Sequence, residues 1–201
     1  MYYSQQGEDR ILYEKFLNYR NGFFLELGAT NGIDCSNTLF FEKELGWSGV
    51  LIEPTNRFNE LKNNRPNCHC FNFAISEVEG ELDFIDAGNM SGLVHTMHEK
   101  HKHGWGLQAH TPYRIKSLPM SKITNDLNIK KIDLFSLDVE GGEFEVLNSF
   151  DWNIPVYIII IEMAKHDLIK DEKCRDIMKL HGFVFDSIIG DNEVWINIKN
   201  K

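Results

Sequence analysis

The sequence predicts an α/β domain of the doubly wound, Rossmann-like kind, a largely parallel sheet with helices on both faces. Three observations carry that expectation. Short apolar runs alternate with amphipathic stretches, the βαβ rhythm of a sheet covered on both sides. The 201 residues, 42% hydrophobic and 12% aromatic, suit one domain spanning 1–201 with a substantial core. The chain closes on two apolar runs around Gly190-Asp191-Asn192, a hairpin that lets the last strand run antiparallel.

Residues 22–28 read as the first strand. Ser36-Asn37-Thr38 supplies cap residues for a helix over 39–45, which Gly46 can stop. The second strand is 49–54, and Pro54, which has no N–H to donate, turns the chain out of the ladder just after Glu53. Residues 57–64 form a helix, 71–75 a third strand, and 81–85 a more exposed strand by their alternation. Residues 86–112 show no sustained period and are expected as a loop or broken helix. After them, 114–118 is weakly strand-like and 121–127 a short helix. Residues 132–138 are a strand, 144–147 a helix, and 156–162 the most hydrophobic strand. A helix over 171–181 ends at Gly182, and 183–186 with 193–198 form the closing hairpin.

Composition narrows the function. A formal net charge of −9 disfavours long nucleic acids, whose nonspecific binding depends on Lys and Arg. No apolar run approaches the roughly 20 residues of a membrane span, and the first residues lack the pattern of a signal peptide. The expectation is a soluble, cytoplasmic protein. Four cysteines are sparse for a disulfide framework, and Cys68-His69-Cys70 lacks a second ligand pair at zinc spacing, so free thiols are expected.

The chemistry concentrates at strand ends, where ligands bind in such sheets. Gly28 follows the first strand directly and permits a tight turn and close ligand approach. The loop Gly28-Ala29-Thr30-Asn31-Gly32 is not a dinucleotide fingerprint, because Thr30 stands where a middle glycine would seat pyrophosphate. Glu53, at the end of the second strand, is suited to accept the hydroxyls of a ribose. Together these features favour a nucleoside without phosphates, with S-adenosylmethionine the leading candidate. An NAD-linked oxidoreductase is a rival weakened by the missing glycine.

Six segments in order are similar to the FkbM family of S-adenosylmethionine-dependent methyltransferases. They are Ser4-Gln-Gln-Gly-Glu-Asp9, Phe24-Leu-Glu-Leu-Gly-Ala-Thr-Asn-Gly32, Ser36-Asn-Thr38, Gly46-Trp-Ser-Gly-Val-Leu-Ile-Glu-Pro54, Phe73-Ala-Ile75 and Leu137-Asp-Val-Glu-Gly-Gly-Glu143. The resemblance implies a class I methyltransferase domain: a mostly parallel seven-stranded sheet with an antiparallel C-terminal hairpin strand and helices on both faces. It implies methyl transfer from S-adenosylmethionine, most often to a hydroxyl oxygen of a sugar or other polyol. By that resemblance Glu26, Gly28, Ala29 and Gly32 would line the methionine part of the cofactor and Glu53 the ribose, with Pro54 also among the cofactor-binding residues. Ala74 and Ile75 would meet the adenine edge, and Gln5 and Asn37 would close the pocket.

The acids set the remaining expectations. Asp138, ending its strand across from the glycine loop, would stand beside the cofactor and the incoming small-molecule or glycan acceptor. Glu140 is the first candidate for general base, because a half-buried acid near other acids has a raised pKa. The alternative is that Glu140-Gly141-Gly142-Glu143 simply caps the next helix. Asp138, Glu162 and His166 could bring ligands together for a divalent cation such as magnesium, as in catechol-type methyltransferases. Five of the eight histidines fall within 95–110, where His98 and His101 share helical spacing and His98 is an alternative base. Trp105, between two glycines, could stack on an acceptor ring. A noncatalytic nucleoside-binding module would need Gly28, Gly32 and Glu53 but none of these acids.

Overall fold

The computed structural model describes residues 1–163 and 166–201. In chain order the elements are α1 (Glu8–Lys15), β1 (Phe23–Leu27), α2 (Leu39–Leu45), β2 (Ser48–Ile52), α3 (Phe58–Asn64), β3 (His69–Phe71), β4 (Ala74–Ile75), β5 (Gly80–Ile85) and β6 (Gly92–Leu93). They continue with α4 (Glu99–Gly104), β7 (Tyr113–Leu118), α5 (Met120–Asp126), β8 (Ile132–Leu137), α6 (Glu143–Ser149), β9 (Val156–Glu162), α7 (Leu168–Leu180), β10 (Val184–Ile189) and β11 (Asn192–Ile196).

The main sheet has seven strands in the order β10-β11-β9-β8-β1-β2-β3. Every neighbouring pair from β9 to β3 is parallel, while β11 runs antiparallel to both β9 and β10. This is the mostly parallel seven-stranded sheet with an antiparallel C-terminal strand that the sequence predicts. Alternation along the central strands explains the two-sided cover. Leu25, Val50, Phe135, Ile159 and Ile161 face one layer with Ile123, Val146 and Met178 of α5, α6 and α7. Their neighbours Phe24, Leu51, Leu134, Ile158 and Ile160 face the other, with Leu12, Phe41 and Leu61 of α1, α2 and α3. Because the chain moves outward from β1 to β3 and then returns to β8 beside β1, strand order reverses between β1 and β8. The carboxyl ends of those two strands therefore frame the crevice where doubly wound sheets bind ligands.

Several boundaries differ from expectation for local reasons. The run 71–75 is not one strand: β3 joins the main sheet, and β4 joins a second sheet ordered β4-β7-β5-β6. Asn72 makes the break, its amide donating to the carbonyls of Glu53 (2.9 Å) and Pro54 (3.1 Å) and so drawing the chain across the end of β2. The segment 86–112 holds β6, α4 and two short 3-10 turns, consistent with a broken helix. Helix α1 was not expected, since its start has Gly7 in the left-handed region (φ 85°) and no side-chain cap. Helix α7 begins three residues earlier than its apolar pattern, because Asp167 caps it by accepting from the Lys170 N–H at 3.0 Å.

Candidate active site

A cavity of about 310 Å³ opens at the β1/β8 reversal, large enough for a small cofactor. Gly28 shapes its floor. The residue has φ +78°, and a Cβ built on it would overlap the carbonyl oxygen of Asp138, so only glycine lets β1 and β8 close here. Thr30, standing where a glycine is more usual, also adopts a left-handed backbone, with φ 47°. That turn aims its N–H at Glu53, which accepts it at 2.8 Å and accepts the Thr55 N–H at 2.7 Å. Glu53 is only 3% exposed yet lines the cavity, and burial raises its pKa from the ordinary carboxylate range.

Of the other residues named from sequence, Gln5, Ala29, Asn37, Pro54, Ala74 and Ile75 also line this cavity. Asn37 is held by donating its amide to the Ser136 hydroxyl at 2.9 Å. Glu26 reaches the wall, but its carboxylate is already engaged. It accepts from the Asn37 N–H (2.8 Å), the Thr38 hydroxyl (2.6 Å) and the Ser36 hydroxyl (3.0 Å). Its visible job is to hold the loop that runs from β1 to α2. Gly32 lies behind the wall instead of on it: a Cβ there would come 2.6 Å from the Leu61 side chain and 2.7 Å from that of Arg65.

The acids converge on the opposite side. Asp138, Glu140 and Glu162 each offer a carboxylate oxygen within 4.8 Å of the others, the only such group among the described residues. The third member is Glu140, not His166, which lines a neighbouring cavity. Burial, then Glu162 and then Glu140, push the Asp138 pKa well up. Burial, followed by Glu162 and Glu143, raises Glu140 to about 8. Glu140 holds a left-handed backbone (φ 56°), an uncommon conformation for a residue with a Cβ and one found at functional sites. No side chain caps α6; Glu143 instead accepts the N–H groups of Val139 (3.0 Å) and Gly141 (3.2 Å) and so ties the turn that displays Glu140.

A second cavity of about 220 Å³ adjoins the first, sharing Met90, Trp105, Glu140, Glu162 and Asp191 with it. His98, His101 and His166 line it. His98 caps α4, its Nδ1 accepting the Lys100 N–H at 3.1 Å. His101 brings Nε2 to 3.5 Å from Glu140, and burial, with His166 next, lowers its pKa. Trp105 stands 60% exposed in the walls of both cavities. Sequence reasoning missed the wall made by Met90, Gly92, Leu93 and Thr96, which lacks any period, and Asp191, which reads as a turn residue. Cys68, just before β3, and Cys70 within it lie beside Glu42 and Arg65, His69 between them is exposed, and all four cysteines are free.

The model of the methyltransferase FkbM domain matches residues 26–185. The chain belongs to the FkbM family of S-adenosylmethionine-dependent methyltransferases. Among solved structures, this FkbM-family chain is similar to a protein from Staphylococcus aureus assigned as a caffeoyl-CoA O-methyltransferase. The two are 9% identical, with 97% of this chain and 84% of that one covered and a TM-score of 0.52. It is also similar to precorrin-6y C5,15-methyltransferase from Geobacter metallireducens GS-15, at 10% identity over 94% of this chain and 84% of that one, with a TM-score of 0.47. At such identities the first likeness concerns the fold alone. A search of curated proteins found no match. No helix among the described residues of the methyltransferase is long and apolar enough to cross a membrane.

Proposed function

We propose that this methyltransferase transfers a methyl group to a hydroxyl oxygen of a sugar or other polyol, acting as one domain of residues 1–201 in the cytoplasm. The observation that carries the reading is the three-carboxylate cluster, with Glu140 and Glu162 on the wall common to both cavities and Asp138 on that of the larger one. The larger cavity suits S-adenosylmethionine: Gly28 clears room at the strand end, and Glu53, fixed by two backbone N–H groups, has lone pairs left for ribose hydroxyls. When bound, the cofactor supplies an electrophilic methyl group and leaves as S-adenosylhomocysteine.

The remaining work falls to the chain. Trp105 offers a ring face to the acceptor, and Asp138 orients its hydroxyl. As the new C–O bond forms and the S–CH3 bond breaks with its electron pair going to sulfur, the hydroxyl proton passes to the Glu140 carboxylate. A base with a pKa near 8 is ionised in mildly alkaline solution and still basic enough to help a weakly acidic alcohol. His98, on the wall of the second cavity, is the alternative acceptor of that proton.

The cluster also fits a hard divalent cation. Three carboxylate oxygens within 4.8 Å of one another are the hard-donor set such an ion takes. Asp138, Glu140 and Glu162 would hold it, and it would polarise the acceptor hydroxyl. The free thiols suit a reducing compartment, and a net charge of −9 leaves small molecules or glycans as acceptors rather than long nucleic acids.

Calorimetry with S-adenosylhomocysteine, followed by transfer of labelled methyl from S-adenosylmethionine to a panel of sugars, polyols, catechols and amines, tests the reading. Binding in the micromolar range with label entering sugar or polyol hydroxyls is expected. Label confined to amines, or no cofactor binding by the folded protein, would overturn it.

A further inference from the structure

We propose that Arg65, which touches neither cavity, is the positioning residue that sets the cofactor-binding loop 32–38 and thereby the methionine end of the pocket. The inference rests on the cofactor reading above. Arg65 sits at the end of α3 with 0% exposure, and it is the bulkiest fully buried side chain among the described residues. A buried guanidinium needs its five donors satisfied, and three of its four hydrogen-bond partners here are on one loop.

Nη1 donates to the Gly32 carbonyl (3.1 Å) and the Ser36 hydroxyl (3.2 Å), and Nη2 donates to the Thr38 hydroxyl (3.0 Å). Nε donates to Glu42 at the first turn of α2, and Nη1 lies 3.8 Å from Glu26. The guanidinium also lies 5.3 Å from the centroid of the Phe24 ring. Its stem fills the space that a Cβ on Gly32 would need.

Arg65 and Glu26 thus grip the same two hydroxyls, Ser36 and Thr38. Between the gripped points the chain turns through Cys35 at φ 60° and projects Asp34, Cys35, Ser36 and Asn37 into the cavity wall. The other half of the pocket is set differently, because Thr30 and Thr55 hold Glu53 without Arg65. Loss of the guanidinium fork should therefore loosen the methionine end and spare the nucleoside end. Lysine keeps the charge but reaches one direction at a time.

The test measures calorimetric affinity for two probes, S-adenosylhomocysteine and 5′-deoxy-5′-methylthioadenosine, which lacks the amino-acid part. Arg65→Lys is expected to bind the first about tenfold more weakly, the scale of one lost charge-assisted hydrogen bond, and the second within about twofold of wild type. Thr38→Val, which removes a single shared hydroxyl, should show the same selectivity at a few-fold loss and serves if Arg65→Lys does not fold. Tyr19→Phe supplies a comparison, since it deletes a bond to Asp133 at the far end of the sheet. It should lower thermal stability and leave both affinities unchanged. Equal weakening of both probes by the loop variants, or unchanged affinity for S-adenosylhomocysteine, overturns the inference. Failure of the wild-type protein to bind S-adenosylhomocysteine brings down the cofactor reading and this inference together.

Discussion

Gly28 and Asp138 meet backbone to backbone across β1 and β8, with no room for even a methyl group between them. The strands are tied at the same point, where the Asp138 N–H donates to the Leu27 carbonyl at 3.3 Å. Gly28→Ala must therefore either separate the strands at the crevice or abandon φ +78°. A stability loss on the order of 3 kcal/mol is expected by urea denaturation, with calorimetric binding of S-adenosylhomocysteine lost.

Glu53 is pinned by two N–H donors, so an amide in its place must turn its NH₂ toward Thr30 or Thr55. Glu53→Gln is expected to weaken adenosine binding about tenfold, with a stability cost of roughly 1–3 kcal/mol. Equal affinity of the two proteins for adenosine in a titration would remove Glu53 from the ribose site.

Glu140→Gln tests the base. With an acceptor from the hydroxyl panel, kcat should fall about a hundredfold or more while the affinity for S-adenosylhomocysteine stays within about twofold. A full kcat in this variant would pass the proton to His98, or to water from a hydroxyl whose pKa a bound cation lowers.

The raised acids have a sign that thermal melts can read. Glu140 keeps its proton in the fold up to about pH 8, whereas in the unfolded chain it loses it near the ordinary value of 4.5. Across that window the native state binds more protons, so stability falls as pH rises. Asp138 pushes the same way. Melting temperature should decline from pH 5 to pH 8, less steeply in Glu140→Gln, while the methyl-transfer rate of the wild type climbs over the same upper range.

A divalent cation should counter that decline by favouring the ionised carboxylates. Millimolar magnesium or manganese at pH 8 is expected to raise the melting temperature by several degrees, as for any ligand that binds the native state. EDTA should abolish the rise, and Glu162→Gln should not show it. No metal-dependent shift in the wild type would leave the three acids as a proton-handling group alone.

The fold was legible wherever a single periodicity decided it. Ile158 to Ile161 reads as a strand covered twice, and the structure sends alternate members to the two helical layers. What escaped depends on contacts between distant residues. The amide of Asn72 splits one apparent strand between two sheets by bonding to carbonyls beyond β2. At the site, Gly28 and Glu53 announce themselves as strand-end residues of unusual type. Arg65 does not, since nothing in a run of Asn63-Asn64-Arg65-Pro66 distinguishes a buried cation from a solvated one. Glu26 has a second task that its motif does not announce: it lines the cavity, and its oxygens also close a loop.

Trp105 gives the protein its own optical reporter. Trp47 and Trp195 are buried, each only 3% exposed, and Trp152 stacks on His181 away from both cavities, whereas Trp105 is exposed in the walls of both. Emission from its indole can register an arriving acceptor without a label, and quenching would separate its occupancy from the chemistry that follows.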